Sequence, residues 1–394
     1  MLDKNSKYPL DGIKVLDFSR VLAGPFAARM LSDLGAEVVK VEPPDGDMTR
    51  YWGKEIAGQS GYFHQQNAGK KNICIDLHAE GSSKLILRMV AQADIVIENY
   101  RPDVMPRIGL GYGDLKSANP GIIMLSISGF GHRSPESHRP AYAPVIHAES
   151  GLIRRSNQLR GVKLHDLPLS VADTNAALHG LIAVLSALHM RSRTELGQHI
   201  DMAMIEATTA TDDQLHYDLD ESHDTGPLPT EILELPFGAV LLSTDFRYFF
   251  RLLVEELGLI DPATGEMELE KKIAARRQAV QDFLFNLTRE KFTEMMAAIN
   301  IPWGDIRDPS EAMSQPTLQA RGAFREIDDR SGGRRVVSQS PYHFSDAISG
   351  VGGAVSYRGE NNTEVLTDWL DLTEEEVDEL KIKGVILYDS NWHI

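Results

Sequence analysis

Residues 13–42 read "IKVLDFSRVLAGPFAARMLSDLGAEVVKVE": an apolar strand-like run, a turn, a helix-like stretch and a second apolar run. Neither run alternates polar with apolar residues. Strands without alternation are buried on both faces, which marks a parallel sheet covered by helices. The same order recurs in "NICIDL", "SSKLILRMVAQA", "DIVIENY" and "GIIMLSIS". Strand, helix and strand repeated in this way predict an α/β protein, with ligands bound beyond the carboxyl ends of the strands. The turn "SRVLAGP", residues 19–25, lies at such an end and is a candidate ligand loop. It has no GxGxxG, and the chain has no GxxxxGK[ST], so a dinucleotide or nucleotide-phosphate site is disfavoured.

The bulk numbers fit this picture and narrow it. The chain has 394 residues, 42% of them hydrophobic and 25% charged, enough for two domains and a sizeable core. A formal net charge of -17 with no basic block argues against nucleic acid or an anionic membrane as partner. An anionic ligand must therefore meet a local basic site. No stretch approaches about 18 unbroken apolar residues and the first residues lack a signal-peptide core, so a cytoplasmic location with no membrane partner is expected. The single cysteine, Cys74, excludes an internal disulfide and reads as strand core. Thirteen histidines form no HExxH pair, so no metal is expected, and no GxSxG elbow occurs.

One carboxylate stands out. In "PLSVADTNAALHG", residues 168–180, Asp173 precedes a helical pattern and has no base beside it in sequence. Asp is a preferred N-cap, so the residue could simply start the helix. A carboxylate at a helix start is also held ionised by the dipole and exposed amides, which would make it a nucleophile that needs no general base. Local pattern leaves both readings open.

The remaining organisation is a linker over 211–234, acidic and aperiodic, between a large domain over 1–210 and a small domain over 235–335. Its Asp212, Asp213, Asp218, Asp220, Glu221 and Asp224 are expected to form a solvated face. Residues 336–394 are expected to complete the large domain. Within them Thr373 and Glu376 have capping-box spacing, and Gly384 lies just past the helix they begin.

From "PLDGIKVLDFSRVLAGPFAARMLSDLGAEVVKVEPPDGDMTR" through "ADIVIENYRPDVMPRIGLGY", "SISGFG", "VADTNAALHGLIAVLSALHMRSRTELGQHIDMAM" and "SPYHFS" to "LTEEEVDELKIKGVI", the chain resembles the family III CoA-transferases. That group includes formyl-CoA transferase, carnitine CoA-transferase and α-methylacyl-CoA racemase. The resemblance implies a Rossmann-like parallel-sheet large domain, a smaller α+β domain and an interlocked homodimer. It implies CoA transfer from an acyl-CoA to a small carboxylic acid, with coenzyme A as substrate and no permanently bound cofactor. Asp173 would be the nucleophile, passing through an aspartyl anhydride and an aspartyl-CoA thioester. Val21, Ala23, Asn99, Tyr100, Arg107 and Met204 would contact CoA. Surface solvation of Arg107 and core packing of Val21, Ala23 and Met204 are the plainer readings of those residues.

Five departures from the family pattern bear on substrates. Pro43 stands where formyl-CoA transferase has an adenine-site arginine, leaving Arg20, Arg101 and Arg139 as substitutes. No glycine-rich lid loop appears over 207–240. In the acyl pocket Tyr142 occupies the position of the racemase's acid/base histidine, and Ala143 replaces a common acidic residue. His147, where transferases often carry glutamine, is expected either to contact substrate or to be a hydrogen-bonded pocket histidine. A phenol is a poor base near neutral pH, so transfer is favoured over an α-methylacyl-CoA racemase-like isomerisation. A non-catalytic acyl-CoA-binding protein is the third reading.

Overall fold

The computed structural model describes residues 7–222 and 230–389. They divide into two compact units, Met1–Asp213 with Gln319–Ile394, and Gln214–Leu318.

The first unit contains β1 (Lys14–Asp17), α1 (Ala23–Asp33), β2 (Glu37–Glu42), a short hairpin of β3 (Glu55–Ile56) and β4 (Gln59–Ser60), α2 (Gly61–Asn67), β5 (Lys71–Cys74), α3 (Ser82–Val90) and β6 (Ile95–Glu98). It continues with α4 (Val104–Arg107), α5 (Tyr112–Ala118), β7 (Ile123–Ser128), α6 (Ala143–Glu149), α7 (Leu152–Arg160), α8 (Val171–Thr194), β8 (His199–Ala203) and α9 (Met204–Ala210). Six strands form one sheet in the order β5-β2-β1-β6-β7-β8. Every pairing in it is parallel. The chain winds outward from β1 to β5, then returns to β1's other side to begin β6. This is the doubly wound Rossmann arrangement, and its switch point lies between the carboxyl ends of β1 and β6.

Both sheet faces are buried, which explains the unalternating strands. Val15 packs with Ile95, Ile97, Leu125 and helices α1 and α8 on one face. Leu16, the next residue, packs with Val96, Met124 and α3 on the other. Cys74 is fully buried. Helix α8 is long and apolar enough on average to cross a membrane. It is instead a core helix, with Ala172, Ala176, Ala177, Leu181, Val184 and Ala187 buried.

The second unit holds α10 (Leu215–Leu219), β9 (Thr230–Leu235), β10 (Gly238–Ser243), α11 (Phe246–Leu257), α12 (Leu269–Phe285), α13 (Arg289–Ala298) and β11 (Trp303–Asp305). Its antiparallel sheet, in the order β11-β10-β9, shares a core with Phe249, Leu253, Leu284 and Phe292. Beyond it come α14 (Pro316–Ala320), the hairpin of β12 (Phe324–Asp328) and β13 (Arg334–Ser338), α15 (Asn362–Leu370) and α16 (Glu374–Ile382). In the first unit, α15 supplies Val365, Leu366 and Trp369 to the core of the α3 face. Thr373 and Glu376 form the capping box of α16, and Gly384 follows with φ 69°.

The unit boundaries differ from the linker and domain limits read from sequence. Residues 230–235 are an edge strand paired along its length with β10, from Thr230 against Ser243 to Leu235 against Gly238. Its alternation, "TEILEL", was obscured by the acidic residues before it. The second unit ends at Leu318 rather than 335, because Ile327 and Val337 of the next hairpin bury against Phe63 and Val351 of the first unit. The acidic stretch is also not wholly a solvated face. Asp212 makes a two-pronged ion pair with Arg155 and its side chain is only 6% exposed. Asp213, Asp218, Asp220 and Glu221 are exposed, and Asp224 lies outside the described residues.

Candidate active site

Leaving β1 at Asp17, the chain must turn sharply into α1 at Ala23. Val21 takes a left-handed conformation, φ 69°, which a β-branched residue adopts at a cost of roughly 1–2 kcal/mol. Two contacts hold it there. The Val21 amide donates to Asp47 Oδ2 at 3.2 Å. Asn99, just past β6, brackets Arg20: its Oδ1 accepts the Arg20 N–H at 2.8 Å, and its Nδ2 donates to the Arg20 carbonyl at 2.8 Å. The two loops at the switch point are thereby tied together. Gly24 allows the close return, since a Cβ there would lie 2.1 Å from Ser19 Cβ.

Beneath the loop lies a buried ionic network of Asp17, Lys40, Glu42, Asp47, Arg50 and Lys70, three acids and three bases, all buried. Lys40 Nζ donates to the Ser19 carbonyl at 2.8 Å and lies 3.2 Å from Asp47 Oδ2. Lys70 Nζ reaches Asp17 Oδ2 at 2.8 Å and the Pro25 carbonyl at 3.0 Å. Arg50 grips Glu42 with two nitrogens, at 3.0 and 2.8 Å. Burial opposes ionisation of Asp17, Glu42 and Asp47, but their cationic partners outweigh it and hold all three below the usual carboxylate range. Burial likewise opposes the Lys40 ammonium, and Asp47, Asp17 and Glu42 outweigh it and raise its pKa.

Asp173 is the third residue of α8, with Ser170 at the cap position, so the capping reading does not hold. Burial pushes its pKa up to about 6. The Ala23, Ala143 and Asp173 amides favour the charged form but do not offset burial. The helix start therefore does not keep this carboxylate at an ordinary acidic pKa, as the sequence suggested. It is still about nine-tenths ionised at pH 7, and it is partly desolvated, which strengthens a nucleophile. Ala23 opens α1 and Ala143 opens α6. Two backbone donors from separate helix starts thus face one carboxyl at the rim of the switch point. Tyr62 of α2 also belongs to this surround: burial, then the charges of Asp173 and Asp47, push its phenol up to about 12.

The other residues singled out in the sequence fall into distinct places. Asn99 spends its amide on the Arg20 backbone. Tyr100 donates its N–H to Glu98 Oε2 at 2.8 Å, and its ring lies under the Arg20 guanidinium at 5.0 Å. Met204 is 5% exposed in the core of the α8 face. Tyr142 caps α6 with its side chain 63% exposed. His147 is buried: Asp166 Oδ1 lies 2.9 Å from Nδ1, and Nε2 accepts the Ala172 amide at 3.2 Å. Of the substitutes for the adenine-site arginine, Arg139 is engaged by Glu136 and Glu149, whereas Arg20 and Arg101 flank the switch-point loops. Among the described residues, no group of three or more His, Cys, Asp or Glu side chains is arranged to hold a metal ion.

Arg107 is 69% exposed on α4 and, among the described residues, bound only to its neighbour Asp103, through a carbonyl at 3.2 Å and a carboxylate at 3.3 Å. Such a fork is free to turn toward phosphate. Arg107→Ala is expected to weaken CoA about 10-fold, the loss of one charge-assisted hydrogen bond, with an unchanged melting temperature. Calorimetric titration with CoA checks this, and unchanged affinity would remove Arg107 from the site.

Sequence reasoning missed Asp47, Tyr62, Asp166 and the Ala143 amide. Asp47 sits in "PPDGDMTR", which reads as a turn, and a backbone donor has no side-chain signature. What the fold and site define is an α/β protein with a partly desolvated carboxyl facing two helix-start amides beyond the carboxyl ends of its parallel strands. Residues 10–355 match the profile of CoA-transferase family III, so the chain belongs to that family. It is 31% identical to the succinyl-CoA–D-citramalate CoA-transferase of Chloroflexus aurantiacus, over 96% of this chain and 98% of the relative. It is 33% identical to the acetyl-CoA:oxalate CoA-transferase of Acetobacter aceti, over 80% and 85% respectively. A CaiB/BaiF family protein from Brucella suis has the same fold, with a TM-score of 0.78 and 29% identity, covering 92% of this chain and all of that one.

Proposed function

We propose that this CoA-transferase moves CoA from an acyl-CoA to a small dicarboxylic acid through covalent intermediates on Asp173. The observation that carries the reading is Asp173 itself, a partly desolvated carboxyl facing the Ala23 and Ala143 amides beside the switch point. A carboxylate oxygen attacks the thioester carbonyl, the C–S bond breaks, and a mixed anhydride and CoA thiolate form. The thiolate attacks Cγ of Asp173, expelling the donor acid as its carboxylate and leaving an aspartyl-CoA thioester. The acceptor carboxylate attacks that carbon, and the released thiolate attacks the acceptor's carbonyl, restoring Asp173. No net proton moves, so no general base is needed. The two amides serve each tetrahedral oxyanion in turn, a role worth about 3–4 kcal/mol per donor in comparable sites.

Citramalate and oxalate, named for the two relatives, each carry two carboxyl groups, which supports a dicarboxylic acceptor. Tyr142 is a solvent-exposed phenol, which disfavours the two-base chemistry of a racemase. Incubation with acetyl-CoA or succinyl-CoA and no acceptor should leave CoA on the peptide containing Asp173, removable by hydroxylamine. A dicarboxylic acid added next should discharge it. Deuterium exchange at the donor's α-carbon without any adduct would favour the isomerase reading instead, and CoA binding with neither would favour a binding protein.

The interlocked homodimer is part of the same proposal. Leu178, Ile182 and Met190 leave an apolar flank on α8, between 41% and 59% exposed, that a second copy would cover. Tagged and untagged chains mixed at native pH should then exchange subunits only over many hours, and rapid exchange in a pull-down would reject interlocking. A cytoplasmic location is proposed on the acidic composition, a formal net charge of -17.

A further inference from the structure

Helix α8 begins without a conventional cap. Ser170 occupies the cap position but its side chain accepts no hydrogen bond from the first turn. The second residue, Ala172, instead donates its N–H to Nε2 of His147, which arrives from α6. His147 is 1% exposed, so water does not compete for that bond. Because Nε2 accepts, the ring proton of the neutral imidazole sits on Nδ1, where Asp166 Oδ1 receives it at 2.9 Å. Asp166 belongs to the irregular segment leading into α8, so one imidazole joins α6, that segment and the turn that carries Asp173.

We propose that His147 and Asp166 are a positioning pair for Asp173, the imidazole capping α8 from outside and Asp166 holding it in the Nδ1–H tautomer. The proposal rests on Asp173 as nucleophile. A neutral acceptor suits the place for two electrostatic reasons. A carboxylate there would cap the same amide but add a second negative charge beside Asp173, and an imidazolium has no lone pair to offer. The imidazole cap also leaves the Ala23 and Ala143 amides to the Asp173 carboxyl, from which they pass to the substrate oxygen as the anhydride forms. In this role His147 acts through the first turn of α8 rather than on the substrate. Its contribution is the angle at which the first turn presents the carboxyl, and displacements of about 1 Å in such groups cost on the order of 100-fold in rate.

The test compares His147→Leu, His147→Gln, Asp166→Ala and Asp166→Asn with the parent. His147→Leu should slow single-turnover formation of the CoA adduct about 10- to 100-fold, with the KM for acyl-CoA within about twofold. His147→Gln should recover most of the rate, because its amide oxygen can accept the Ala172 N–H, and Asp166→Asn should keep more activity than Asp166→Ala. Nitrogen-15 NMR of the parent should show His147 as the Nδ1–H tautomer, which is the minor form of free histidine. This readout does not depend on whether His147→Leu folds. An Nε2–H tautomer, a His147→Leu adduct rate equal to the parent's, or a His147→Gln as slow as His147→Leu would each overturn the pair. Absence of any adduct in the parent would overturn the nucleophile assignment and, with it, the pair's catalytic purpose, whatever the tautomer.

Discussion

Asp173→Ala is expected to abolish both the covalent CoA adduct and CoA exchange, lowering kcat by about 10⁴- to 10⁶-fold, the range seen when a nucleophile is removed. CoA affinity should change little, because the side chain acts on the thioester carbon and not on the nucleotide. The fold should survive, since Asp173 is not the cap of α8 and its charged form is already disfavoured by burial. Asp173→Asn separates charge from shape: it keeps the volume but cannot form the anhydride, so it should be as inactive as the alanine variant. The parent's pH profile carries the same assignment. With a pKa of about 6, the nucleophile is lost as pH falls through that value, so kcat/KM should drop tenfold per unit below it and level off above it. A limb near the ordinary aspartate value would mean that burial does not control the carboxyl. Full adduct formation by Asp173→Ala would move the nucleophile elsewhere.

How far the sequence foretells this site depends on which atoms act. The sheet was readable because Val15 and Leu16, neighbours in β1, face opposite cores, and double burial leaves an unbroken apolar run. Asp173 was visible as a carboxylate, but its place in the first turn of α8 was not, because helix starts are uncertain by a residue or two. Asn99 stood in a recognisable motif, while its bond partner, the Arg20 backbone, lies 79 residues away. The Ala143 amide was invisible for a different reason: every residue but proline has an N–H, and only the fold selects which ones meet. The pKa of Asp173 was misjudged in direction because a sequence shows the helix start and conceals the burial.

The buried network makes the second large prediction. Lys40→Met removes one cation from a balanced set and leaves Asp47 buried without the ammonium that pairs with it, while Asp17 keeps Lys70. Breaking a buried pair in this way costs about 3–5 kcal/mol, a large part of the stability of a typical domain, and should lower the melting temperature by roughly 5–15 °C. The activity loss should exceed what unfolding explains. Lys40 holds the Ser19 carbonyl, and Asp47, which it anchors, holds the Val21 amide in its strained turn. Release of that turn displaces the Ala23 amide from Asp173, so kcat should fall about 100-fold in protein that remains folded. Adding Asp47→Asn removes the orphaned charge while keeping an acceptor for Val21, and should restore part of the stability. The pH dependence has a definite sign. Asp17, Glu42 and Asp47 titrate lower in the folded chain than in the unfolded one, so their contribution is complete above about pH 5 and is lost as pH falls through their folded values. Lys40 titrates higher when folded, so its contribution is complete below its unfolded value near 10 and is lost as pH rises beyond it. Lys40→Met should therefore flatten the acid limb of the stability curve, because Asp47 loses the cation that chiefly depressed it and Asp17 and Glu42 each lose a lesser one. A variant with parental stability and parental acid sensitivity would show that Lys40 does not hold the loop.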